Sequence, residues 1–545
     1  MESADFWIPQ LPTFLLSFHE PEKLAWDLAN AMDGIWNKRM EYGGTYDEVI
    51  LIGHSVGALL VRKMFVFGRG ETPDAPFEVP ATAHQPRPAS AWTERVTRIV
   101  LLAGMNRGWQ ITHHLTRGSA VLVWTGAVFA AALHLITERR LLIFAVRRGA
   151  PFITQLRLQW LAMLRSGDPA GDREPLVVQL LGTVDDLVAP EDNVDLLTGR
   201  SFVFFDAPQS GHMSILDMQT ATDPAGAEPS APSLRRNLLK KVLETSPDVL
   251  RRESALASEL SQYEPKDHVT DVVFVIHGIR DAGYWTQRIA RKVKEVAREP
   301  REQARVFETE TSTYGYFPML PFLLPWKRRA KVEWLMDEYT ENLARYPNAR
   351  FSYVGHSHGT YLVAKALEEY PACRFRHVVF AGSVVRRAYD WGRFLKSPPG
   401  VAPRVEKILN YVATGDWVVA IFPGLFEFLP VQDLGSAGHQ GFIAPSSCNI
   451  EYVRGQHSAA LKEEHWSAIA RFIVDGTVPH GPLDRRQSTI TRLVGYAAPL
   501  VWLGIIALAI AGGFAIVFRL PFGEWQRAVL LIAYVGVLRL VVTRI

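Results

Sequence analysis

Gly-His-Ser-Val-Gly at 53–57 and Gly-His-Ser-His-Gly at 355–359 constrain this chain more than any other feature. Each follows a short apolar, β-prone run, Val49-Ile50-Leu51-Ile52 in one case and Phe351-Ser352-Tyr353-Val354 in the other. Each leads into a helical pattern, at 58–63 and at 360–365. Strand, tight turn and helix in that order put a serine hydroxyl above the end of a sheet, over a helix N-terminus. The glycines allow the turn because they carry no Cβ. The same geometry encoded twice, with His before Ser both times, calls for two sheets that each feed a helix.

The surrounding pattern agrees. In the first half, strands are expected at 6–9, 48–53, 98–102, 176–181 and 202–205, with an amphipathic helix at 20–37. In the second half, strands at 272–276, 305–311, 351–354, 378–381, 408–412 and 450–453 alternate with helices at 284–298, 329–345 and 463–474. Strands separated by helical patterns form parallel sheets through crossovers. The expected fold class is therefore α/β, with two tandem doubly wound, mostly parallel sheets. The expected domains are 1–219, with an apolar insertion near 107–170; a helical connector at 220–268; a second domain at 269–480; and a terminal helical hairpin at 488–545. Within the insertion, 118–136 reads as an apolar cap over the site, because one membrane crossing there would separate strands of one sheet. A two-span hairpin using 141–164 is the rival, made costly by Arg147, Arg148 and Arg157.

The bulk composition excludes several classes. A net charge of +3 over 545 residues makes no case for nucleic acid. Two cysteines, Cys373 and Cys448, give no disulfide framework and are expected to be buried thiols. His113-His114 stands alone, and no metal-ligand cluster is legible. The N-terminus lacks a basic region followed by an apolar run, so it does not read as a signal peptide. The C-terminal region is different. The stretch 493–518 carries no charge and is long enough to cross a bilayer, and 528–542 is apolar apart from Arg539. This reads as a hairpin that returns to its starting side. Arg485, Arg486 and Arg492 before it, and Arg544 after it, place the bulk of the chain on the cytoplasmic side of a membrane.

A serine hydroxyl attacks only after a base takes its proton, and the base needs a third group to set its tautomer. In the second half the nucleophile is Ser357. Asp416 follows a strand in Gly415-Asp416-Trp417-Val418-Val419, and His457 follows the next strand in Gly455-Gln456-His457. His457 is preferred to His465, which lies within the following helix. In the first half the nucleophile is Ser55, the acid Asp185 (preferred to its neighbour Asp186) and the base His212. An oxyanion needs two backbone N–H groups. Those of His358 and Ile279 are expected in the second half, with His277 shaping the loop. Val56 supplies one in the first half. There the strand and His-Gly loop that should precede Phe6 are absent, so the second donor has no evident source. The reading frame upstream of Met1 is the place to look for them.

These motifs resemble the α/β-hydrolase superfamily on its esterase and lipase side, over roughly 1–215 and 270–477, with the first copy lacking its opening strands. The residues that carry the resemblance are the two Gly-His-Ser-x-Gly motifs, Gly182-Thr183-Val184-Asp185-Asp186-Leu187-Val188, Gly415-Asp416-Trp417-Val418-Val419, and the histidine after each final strand. The resemblance implies acyl transfer with no metal or organic cofactor. The segment 314–326, aromatic and apolar, is followed by Lys327-Arg328-Arg329. It suits either contact with anionic lipid or a cap packed over Ser357. The expected function is a membrane-anchored serine hydrolase cleaving carboxylic esters of apolar or lipid-like acyl groups, with the bilayer as its other partner. The rival is a membrane-tethered scaffold or regulatory protein built on inactive domains.

Overall fold

The computed structural model describes residues 4–12, 17–72, 74–78, 87–109, 141–166, 174–185, 195, 202–219, 228–254, 265–281, 283–300, 304–397, 402–413, 415–428, 432–443, 449–479, 493 and 497–544. The chain divides into two compact units. Unit 1 holds Met1–Pro265 with Met336–Arg345 and Tyr370–Ala372; unit 2 holds Lys266–Leu335, Tyr346–Glu369 and Cys373–Ile545.

Unit 1 is a four-stranded parallel sheet in the order β1 (Val49–His54), β2 (Val96–Leu102), β3 (Leu176–Gly182), β4 (Phe202–Ala207). Alternate side chains of a strand point to opposite faces, and both faces here are covered. Ile99, Leu101, Val177 and Phe204 pack with the helices Pro21–Glu41, Val56–Arg69 and Pro151–Ser166 on one side. Val100, Leu102, Val178 and Phe205 pack with Val242 and Leu250 on the other. Those last two residues lie on the helices Ala231–Glu244 and Pro247–Arg252. The stretch expected to be a connector thus supplies core, because without it one sheet face would stay wet. The expected strand at 6–9 does not form: Phe6 is 78% and Ile8 85% exposed. Pro9 and Pro12 cannot donate to a ladder, so two of the segment's N–H groups are lost to any strand pairing.

The rival hairpin at 141–164 is also overturned. Helix Pro151–Ser166 is a core element, with Leu156 and Trp160 buried and Arg157 paired to Asp195 at 3.1 Å. The cap segment 118–136 lies outside the described residues, as do His113, His114, Asp186 and Cys448. Cys373 is buried, and burial pushes its thiol up to about 12.

Unit 2 is a six-stranded parallel sheet in the order β10 (Asn449–Val453), β9 (Val405–Ala413), β8 (Phe375–Ala381), β7 (Arg350–His356), β5 (Asp271–Ile276), β6 (Phe307–Glu310). Every residue of β5 is buried. Here the strand leading to the serine, β7, is interior, with β5 on one side and β8 on the other. In unit 1 the corresponding strand, β1, is an edge: it pairs with β2 alone among the described residues, and Ile52 is 46% exposed.

The chain then forms an apolar helix, Ala498–Arg519, of 22 residues and mean hydropathy 2.5, in which only the first residue, Ala498, is buried. Among the described residues it is the one helix long and apolar enough to cross a membrane. The helix Glu524–Arg544 packs back on it: the Tyr534 hydroxyl donates to Ala509 O at 2.9 Å, and Arg527 donates to Val517 O and Leu520 O, each at 3.0 Å. The hairpin forms, but its second arm does not qualify as a second span. Arg527 and Arg539 interrupt its apolar run.

Candidate active site

Both serines occupy a left-handed backbone conformation, with φ +54° at Ser55 and +51° at Ser357. A non-glycine residue held there costs about 1–3 kcal/mol, so the surroundings must enforce it. They do so in the same way twice. Ser55 N–H donates to Leu102 O on β2 at 3.0 Å, and Ser357 N–H to Ala381 O on β8 at 2.9 Å. Each serine carbonyl then accepts the N–H three residues on, from Ala58 at 3.1 Å and from Thr360 at 2.9 Å. The N–H of Val56 and that of His358 belong to the first residue of a helix, where no intrahelical acceptor exists.

In unit 1 the three side chains meet. His212 Nδ1–H donates to Asp185 Oδ2 at 3.1 Å, which leaves Nε2 to accept from Ser55 Oγ–H at 2.8 Å. His212 is nearly buried, and the Asp185 carboxylate is 3% exposed. The acid and base loops are joined by Val184 N–H donating to Ser210 O at 3.0 Å. Among the described residues a Cβ at Gly57 would meet nothing within 4 Å, whereas one at the equivalent Gly359 of unit 2 would lie 2.6 Å from Ile276 O.

In unit 2 the expected acid and base meet, and the His277-Gly278-Ile279 loop lies beside the serine. His457 Nδ1–H donates to Asp416 Oδ2 at 2.8 Å. Asp416 is fully buried and precedes the helix Trp417–Phe428, and its Oδ1 accepts the Val419 N–H at 2.9 Å. That bond caps the helix, and the helix N-terminus favours the carboxylate's charge. Ser357 Oγ makes no hydrogen bond to His457; the imidazole rests against the backbone of Gly382. His465 packs near Tyr411, with ring centres 6.0 Å apart, away from that pair. The His277-Gly278-Ile279 loop reaches the serine, since a Cβ at Gly278 would lie 2.7 Å from Ser357 Cβ. His277 is locked in place. Its Nδ1–H donates to Gly278 O at 2.8 Å, its Nε2 takes the Thr313 hydroxyl at 2.6 Å, and Tyr314 Oη donates to its carbonyl at 3.0 Å. The segment after it does two things. Phe317 and Phe322 pack their rings 5.0 and 5.4 Å from that of His358, while Tyr316, Leu320 and Trp326 stay exposed.

One pair of residues was not singled out from the sequence: the histidines before the serines. His54 Nε2–H donates to His212 O at 2.8 Å, and the two rings lie 5.2 Å apart. His356 sits 4.8 Å from the ring of His457. Each therefore backs the base of its own unit. The shared His in the two motifs was the available signal.

Burial holds three unit 2 histidines neutral. His356 and His358 are held well below the usual imidazole range by desolvation first, and His377 is brought down to about 4 by the same cause. An unfolded chain protonates these rings near pH 6.5, while the folded one refuses the protons. Unit 2 stability is therefore full above about pH 6.5 and falls as pH drops towards 4. His377 alone accounts for about 2 kcal/mol or more by pH 4.5. Hydrogen exchange of the β8 amides at pH 7.5 and 4.5, corrected for intrinsic rates, is expected to give a lower opening free energy at the acid pH. A His377→Gln variant is expected to reduce the difference, leaving the share that His356 and His358 contribute.

No family model and no curated protein matches the chain. Among solved structures it is similar to LpqC, a poly(3-hydroxybutyrate) depolymerase from Bordetella parapertussis, at 14% identity and a TM-score of 0.25, over 40% of this chain and 83% of that one. A likeness of that size carries no weight for function.

Proposed function

We propose that the chain is a membrane-associated serine hydrolase of carboxylic esters with apolar acyl groups, built from two α/β-hydrolase-like units. The observation that carries this reading is the Ser55–His212–Asp185 chain of hydrogen bonds behind a serine at φ +54°. His212 Nε2 takes the Ser55 proton as Oγ attacks the ester carbonyl, and Asp185 holds the imidazolium that results. The imidazolium returns the proton to the leaving alkoxide, and water then repeats the sequence on the acyl-enzyme. In unit 2 the same roles fall to Ser357, His457 and Asp416. The oxyanion there is bound by the N–H groups of His358 and Ile279. The missing Ser357–His457 bond is compatible with this, because such contacts often close only around substrate. The apolar helix supports the membrane setting, and the arginines around it support a cytoplasmic orientation of the units.

The rival reading, a tethered scaffold, draws on one observation: His457 meets Asp416 at 2.8 Å but makes no hydrogen bond to the Ser357 hydroxyl. A fluorophosphonate probe separates the two. Labelling is expected on the full chain in detergent, reduced in Ser55→Ala and in Ser357→Ala, and abolished in the double variant. Labelling that survives in the double variant sinks the hydrolase assignment.

A further inference from the structure

Unit 2 contains a file of rings that runs from the residue after Ser357 to the exposed apolar helix. The His358 ring lies 5.4 Å from Phe322, Phe322 lies 6.3 Å from Phe422, and Phe422 lies 5.3 Å from Trp502. These side chains come from four separate elements. His358 opens the helix after the serine, Phe322 sits on Met319–Leu323, Phe422 on Trp417–Phe428, and Trp502 on Ala498–Phe514. Their meeting is therefore a product of packing, not of local sequence.

The two ends of the file have defined surroundings. At the inner end His358 is fully buried. Burial keeps its ring uncharged, and Arg328, which flanks Phe322, is neutralised by Asp433 at 2.7 Å. At the outer end the Trp502 indole N–H donates to Ile421 O at 3.2 Å. That bond consumes the only polar group of the ring and leaves its apolar body in the file. Trp502 stands four residues into a helix of which only Ala498 is buried, about 6 Å of rise from its start. Tryptophan at that depth marks the membrane–water interface. Trp417, next to Asp416, is 48% exposed, and Trp326 is 43% exposed ahead of the exposed Lys327. These exposed residues of unit 2 offer apolar rings and a cation, which suits an interface with lipid.

We propose that this file is an acyl-chain track, along which the unit 2 site draws a long-chain ester sideways out of the bilayer. The proposal rests on Ser357 being the nucleophile and adds the class of substrate and its route. The ligand is a bilayer-resident ester whose chain lies against Trp502, Phe422 and Phe322, with its carbonyl at Ser357. Short water-soluble esters use none of these rings beyond the first.

The test uses the full chain carrying Ser55→Ala, reconstituted in phosphatidylcholine vesicles. The rates on 4-nitrophenyl palmitate and 4-nitrophenyl butyrate are compared. Phe422→Ala and Trp502→Ala are each expected to lower the palmitate-to-butyrate ratio of kcat/KM about tenfold. A ratio that stays the same overturns the track. A second measurement needs no variant: a vesicle-borne palmitoyl ester with a mid-chain diazirine is expected to crosslink to 317–326 and 417–428. Crosslinks confined to Ala498–Arg519 overturn the track as well. Crosslinks to 317–326 and 417–428 without fluorophosphonate labelling of Ser357 support the track and reject hydrolysis in unit 2, so the two failures are distinguishable.

Discussion

Replacing His212 by Ala is expected to lower Ser55-dependent ester turnover by about 10⁴-fold. The imidazole both accepts the Ser55 proton at 2.8 Å and is held by Asp185 at 3.1 Å, so one substitution removes the base and leaves the carboxylate without its partner. The remaining hydroxyl is a weak nucleophile at neutral pH. The measurement is kcat/KM on a soluble ester in a Ser357→Ala background, with the fluorophosphonate labelling rate as a second readout. A loss under tenfold means that His212 is not the base. Asp185→Asn acts through the same ring, by releasing the tautomer that leaves Nε2 free.

The second large effect concerns stability and contrasts the two turns. Gly359→Ala puts a methyl 2.6 Å from Ile276 O and 3.1 Å from His277 O, both backbone atoms of β5 and the loop after it. Neither can move without separating β5 from β7, which pair along six residues. Overpacking of this kind costs about 1–3 kcal/mol and more where the backbone is fixed. Unit 2 is expected to lose about 3 kcal/mol or more, read as loss of protease resistance in unit 2. Gly57→Ala is expected to do the opposite. Its Cβ would meet nothing within 4 Å, and Ala is the better helix former by about 0.5–1 kcal/mol. Two glycines at the same place in one motif thus give opposite signs, because β5 stands beside Gly359 while, among the described residues, nothing lies within 4 Å of a Cβ at Gly57. Equal destabilisation by both substitutions contradicts this account.

Much of the fold was legible from the residues. Ile99 and Leu101 against Val100 and Leu102 carry the alternation of a strand covered on both faces, and each run of this type became a strand of a parallel sheet. The acid and base candidates were also legible, because each follows directly on the end of a strand. Asp185 and His212 reach Ser55 across 157 residues of chain at most, since β1, β2, β3 and β4 lie side by side in sequence order. What failed had the right local pattern and the wrong context. Phe6-Trp7-Ile8 reads as a strand until Pro9 and Pro12 are weighed against a ladder that needs N–H donors. The helix Ala231–Glu244 reads as a linker until the bare face of β3 and β4 is seen to need Val242.

The amino-acid order by itself determined the short-range geometry: where the backbone turns, which serine sits at the turn, and which residues end each strand. These depend on glycine, β-branching and alternation within a few residues. The tertiary structure alone decided that His54 backs His212, that Ile276 O crowds Gly359, and that His358, Phe322, Phe422 and Trp502 stand in file. Each of those contacts joins elements far apart along the chain. Their distances depend on strand order and helix docking, and neither is encoded in any local window.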